Sequence, residues 1–151
     1  MKLWLVYVLL TVVCWGAYVP TLHHGQTAFT TRGPLRAFLF VGLAYFIVSV
    51  YILLHVMVTK AEPLEFTSKA VGFSTFAGLL GAIGAIGVVF AIRHGGSPLL
   101  VAPLVFAGAP IVNTLVSMAW HKPAKPTSMM FYIGIALAAV GASLVLRYKP
   151  T

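Results

Sequence analysis

Five long apolar stretches run through this sequence, and none of them contains an Asp, Glu, Lys or Arg: residues 3–22, 37–59, 70–92, 97–120 and 129–146. Crossing the hydrocarbon of a bilayer takes about 20 residues of helix, with a range near 17–25. Every stretch fits that length. A helix satisfies each backbone N–H and C=O within its own segment, as hydrocarbon demands. The runs are continuous rather than alternating, which argues against a transmembrane β-barrel. The sequence therefore predicts an all-α integral membrane protein with five transmembrane helices, forming a single membrane domain over residues 1–151. Multi-pass insertion in a membrane of the bacterial inner (plasma) type is the expected location.

Charge sharpens the reading. Only 8% of the 151 residues are charged, against about 25% in soluble domains. The net charge of +8 comes from ten Lys and Arg against two acidic residues, scattered singly between the spans. A nucleic-acid site would need them clustered on one face, so the expected partners of these charges are anionic lipid headgroups. Pumps coupled to ions place an ionisable group at membrane depth, and the spans carry no carboxylate. His55, near the end of the second span, is the one imidazole at depth; a neighbouring helix is its expected partner. The single cysteine, Cys14, allows no intrachain disulfide. Met1-Lys2 before an apolar run suggests a leader, but Val13 and the run Trp15-Gly16-Ala17-Tyr18 offer no small-residue cleavage site, so 3–22 is expected as a retained helix.

Alternating the links between two membrane faces gives a balance. With the N-terminus on face A, that face carries Lys2, Lys60, Lys69, Lys122 and Lys125. Face B carries Arg32, Arg36, Arg93, Arg147 and Lys149. The positive-inside bias that fixes orientation is absent. Insertion in both orientations is one reading; a fixed orientation imposed by a dominant loop or a partner is the other.

Small and polar residues inside the spans mark candidate functional positions. Gly78, Gly81, Gly84 and Gly87 recur every third residue, a stripe that winds about 60° per step around the third helix. Gly134, Ala138 and Ala142, with Gly141, make a small-residue ridge on the fifth. Such faces let helix backbones approach closely in lipid. Segment four carries Pro103, Gly108, Pro110 and Asn113 within its span. Each interior proline deprives the carbonyl four residues earlier of its helical N–H, here Leu99 and Phe106. Bare carbonyls near mid-membrane are common at transporter sites, and Asn113 adds a polar side chain one turn beyond Pro110. Contact with a substrate and a hydrogen bond to another helix are both open for Asn113.

No catalytic constellation, metal set or cofactor motif emerges. No nucleophile stands beside a base, and the glycines of segment three lack the Lys-Ser/Thr of a phosphate loop. His23, His24 and His94 share face B, but no cysteine or carboxylate joins them.

Trp15-Gly16 near the end of the first span, Ala109-Pro110-Ile111-Val112-Asn113-Thr114-Leu115 in the fourth and Tyr132-Ile133-Gly134 through Gly141-Ala142 in the fifth resemble the motifs of one five-helix repeat of the drug/metabolite transporters of EamA-like type. Where that family often carries a glutamate after the fourth helix, His121 and Lys122 stand here. The resemblance implies transport by alternating access. Full-length members hold two repeats of opposite orientation, so a single repeat implies a homodimer of oppositely inserted copies. The expected substrate is a small polar or zwitterionic metabolite, moved by facilitated transport or exchange. Its site is expected at Trp15, Tyr18, Pro110 and Asn113, with no metal and no cofactor. An accessory subunit of a larger membrane complex is the rival from another class.

Overall fold

The computed structural model describes residues 2–31, 33–120 and 127–148. The link residues His121 to Pro126, with Lys122 and Lys125 of the charge count, lie outside them, as do Arg32 and Lys149.

Five helices follow one another among the described residues: α1 (Leu3–Ala28), α2 (Pro34–Thr59), α3 (Ser68–Arg93), α4 (Pro98–Trp120) and α5 (Met129–Arg147). All five are long and apolar enough to cross a membrane, with mean hydropathy of their best windows between 1.9 and 2.5. There are no strands among the described residues. Large apolar side chains are exposed along every helix, Val58 and Leu137 among them, and α5 has no buried residue. In water this surface would be an aggregation liability; in a bilayer it is the surface that meets lipid. The chain is a multi-pass, all-helical integral membrane protein.

Local signals set the helix ends. Pro34 occupies the first turn of α2, where its missing N–H costs nothing. The Thr67 hydroxyl accepts the Ala70 N–H at 3.2 Å and starts α3. Gly95 closes that helix at φ +98°, a backbone region suited to glycine. The Ser97 carbonyl accepts the N–H groups of Leu100 and Val101 ahead of α4. Ser128 caps α5, its hydroxyl accepting the Met130 N–H at 3.3 Å.

The chain divides into two compact units. The first joins residues Met1–Pro20 with Gly96–Thr151. In it α4 packs along α5. The partly buried residues of α5 are Ile135, Ala138, Ala139 and Ala142, one stripe at helical spacing and mostly small. Val19 and Val101 are its buried apolar residues.

The second unit, Thr21–Gly95, holds the last turns of α1 and the α2–α3 pair. Its buried residues gather near the face-B ends: Leu22 and Gln26 of α1, Ala37 of α2, and Val88, Val89 and Ile92 of α3. The turn from α1 to α2 is tied down there. Arg36 donates to the Thr31 carbonyl at 2.5 Å and to its hydroxyl at 2.6 Å. The same guanidinium lies 4.9 Å from the centroid of the Phe29 ring, and Phe29 stacks with Phe40. The Gly33 N–H reaches back to the Gln26 carbonyl.

Candidate functional site

The first unit gathers the polar features of the spans around one aromatic contact. The Trp15 and Phe106 rings lie 6.2 Å apart, centroid to centroid, with their planes at 48°. Phe106, Pro110 and Asn113 are spaced four and three residues apart, so they share one face of α4. Trp15 thus meets the face of α4 that carries two of the expected site residues.

Two backbone carbonyls beside this contact lack their usual helical partner. Pro110 has no N–H to offer Phe106. Pro20, inside α1, has none to offer Gly16, the neighbour of Trp15. A carbonyl deprived in this way is a hydrogen-bond acceptor in a medium without water. Gly16 stands in open space, since a Cβ built there meets no heavy atom within 4 Å. The sequence signal for this second carbonyl was Pro20 itself, which hydropathy alone places at the end of a span rather than inside a helix.

Trp15 is exposed and Tyr18, one turn on, is partly buried. Pro110 and Asn113 are both exposed on α4. Consecutive spans reverse direction, so α1 and α4 are antiparallel. Counted at 1.5 Å per residue, Tyr18 then falls about 5 Å to one side of the Trp15–Phe106 level and Asn113 about 10 Å to the other. The contact brings Trp15 and the Phe106–Pro110 turn together and leaves Tyr18 and Asn113 at the two ends of the region.

Most hydroxyls that bond inside the helices close on their own backbone. Thr11 donates to the Tyr7 carbonyl, Thr59 to that of His55 and Ser143 to that of Ala139, at 2.9, 2.7 and 3.0 Å. Such back-bonds satisfy a hydroxyl without a second helix. The Asn113 amide makes no hydrogen bond among the described residues, which leaves two donors and an acceptor open on an exposed face.

The small-residue positions divide. Ala138 and Ala142 are partly buried, whereas Gly134 and Gly141 are exposed. A Cβ built at Gly78, Gly81, Gly84, Gly87, Gly134 or Gly141 meets nothing within 4 Å. These glycines present bare backbone to open space.

The histidines take separate roles. His94 turns back on its own helix, with Nδ1 2.8 Å from the Phe90 carbonyl. His55 stacks on Tyr51, one turn earlier in α2. The His23 Nδ1 is buried without a hydrogen-bond partner, as is the Nε2 of Gln26, a residue only 5% exposed. No three His, Cys, Asp or Glu among the described residues are placed to hold a metal ion.

No family model matches this chain, and no curated protein or solved structure does either.

Proposed function

We propose that this protein is a membrane transporter of a small polar metabolite, of the drug/metabolite transporter type, working as a homodimer of oppositely inserted copies. The observation that carries the reading is the pair of carbonyls, Gly16 and Phe106, left without helical partners on either side of the Trp15–Phe106 contact. Bare acceptors beside an aromatic face suit a substrate with N–H or O–H donors, and an ammonium group satisfies both the carbonyls and the ring. The region is open rather than enclosed within one chain, which supports a second copy completing the pathway. The balanced face charges fit that copy inserted the other way round. With no carboxylate in the spans, the chemistry fits facilitated passage or exchange.

Purified protein in liposomes, preloaded with one unlabelled metabolite at a time, tests the reading by counterflow of the labelled compound. Saturable uptake of an amine-bearing or zwitterionic metabolite is expected, reduced in Pro110→Ala. Failure of every member of a broad panel overturns it. Recovery of a stoichiometric partner protein with an inactive chain would instead identify an accessory subunit.

A further inference from the structure

At the face-A end of α2 the chain folds into an open hollow of about 560 Å³ lined by Val56, Met57, Lys60, Glu62, Pro63 and Leu64. That size falls within the range of about 300–1,000 Å³ common to small-molecule sites. Its two charged residues have opposite sign, are two positions apart and make neither an ion pair nor a hydrogen bond through their side chains among the described residues. Lys60 is held in the left-handed region, at φ 51°, as the cap of α2, and its N–H bonds to the Val56 carbonyl at 2.9 Å. Glycine is the ordinary residue there, because a side chain in this conformation is disfavoured. The Glu65 N–H closes a turn onto the carbonyl of Pro63, one of the lining residues, at 2.9 Å. A strained lysine, an unpaired glutamate and an apolar floor therefore meet where a membrane span ends.

We propose that this hollow binds the headgroup of a zwitterionic phospholipid carrying a primary amine, of the phosphatidylethanolamine class. Lys60 faces the phosphate and Glu62 the ammonium, each through charge-assisted hydrogen bonds. The choice of a lipid over a soluble zwitterion rests on continuity: Met57, on the floor, lies on the exposed apolar surface that α2 offers to acyl chains through Leu54 and Val58. Both charges sit at the membrane boundary, the depth at which a headgroup lies. This site shares no residue with the proposed transport region and does not depend on it.

The test is native mass spectrometry of the full chain released from detergent with equal amounts of phosphatidylethanolamine, phosphatidylglycerol and phosphatidylcholine. The wild-type protein is expected to retain the ethanolamine lipid over the glycerol lipid by roughly threefold to fivefold, the scale of an exposed ion pair. Glu62→Gln is expected to bring that ratio near one, because only the ammonium distinguishes the two lipids. Lys60→Gln is expected to lower retention of both. Lys60→Gly, which relieves the left-handed strain, is expected to bind as poorly while folding at least as well, separating lost binding from lost structure. An unchanged ratio in Glu62→Gln, or no preference in the wild type, overturns the proposal. Displacement of the lipid by free glycerophosphoethanolamine at comparable concentration overturns the lipid assignment in favour of a soluble zwitterion.

Discussion

The Trp15 indole rests 6.2 Å from the Phe106 ring, and each of the two residues adjoins a carbonyl released by a proline: Gly16 by Pro20, Phe106 by Pro110. Two proline-bearing stretches thus meet at an aromatic pair. Prolines inside α1 and α4 would be a cost in a purely structural helix, about 3 kcal/mol each relative to alanine. Placed together, they make an acceptor-lined, aromatic surface at membrane depth.

Trp15→Ala is expected to remove the ring contact, worth about 0.5–1.5 kcal/mol beyond its area, and to lower counterflow sharply. Trp15→Phe keeps a ring and is expected to retain most of both. Thermal unfolding in detergent and initial counterflow rates check the pair.

Pro110→Ala returns an N–H to the Phe106 carbonyl. The expected result is a more stable protein with slower transport, the gain being at most about 3 kcal/mol. Pro20→Ala is expected to act in the same direction through Gly16. Equal rates in both variants and the wild type would remove the bare carbonyls from the mechanism.

Asn113→Leu takes an unpaired amide off an exposed face of α4. Interhelical hydrogen bonds from such groups in membranes contribute about 0.6–2 kcal/mol. The isolated protomer is expected to be as stable or more so, while cross-linking of dimers and transport fall. Cross-linking in membranes before purification measures the first effect.

Gln26→Leu is expected to stabilise the protein. The Nε2 of Gln26 is buried without a partner, and a group left so costs about 1–3 kcal/mol. A leucine of similar volume has no such debt, so the unfolding temperature rises. By contrast Thr67→Ala loses the cap of α3 and is expected to cost about 1 kcal/mol.

The spans were legible in the sequence because charge exclusion and length together specify them. Helix α4 begins at Pro98 and ends at Trp120, within a residue of the apolar run. The exception is α1, which continues six residues past Leu22 to Ala28. Hydropathy marks where a helix leaves hydrocarbon, not where it ends, and His23, His24, Gln26 and Thr27 extend it into a polar region. Gly25 sits inside this extension without stopping it. Pro20 lies inside α1 and does not end it. Thr67 was a readable cap three residues before the apolar run of α3. The aromatic contact was not legible, because nothing in the spacing of Trp15 and Phe106 pairs residues 91 positions apart. Nor was the hollow at Lys60, which depends on a left-handed backbone that sequence pattern assigns to glycine.

The proposed transporter requires two copies inserted in opposite orientations. A paired reporter fused after Thr151, one half active only inside the cell and the other only outside, measures this in intact cells. Signal from both halves in comparable amounts is expected, with a shift to one half when Lys or Arg is added to a single face. Signal from one half alone in the unaltered protein would contradict the proposal.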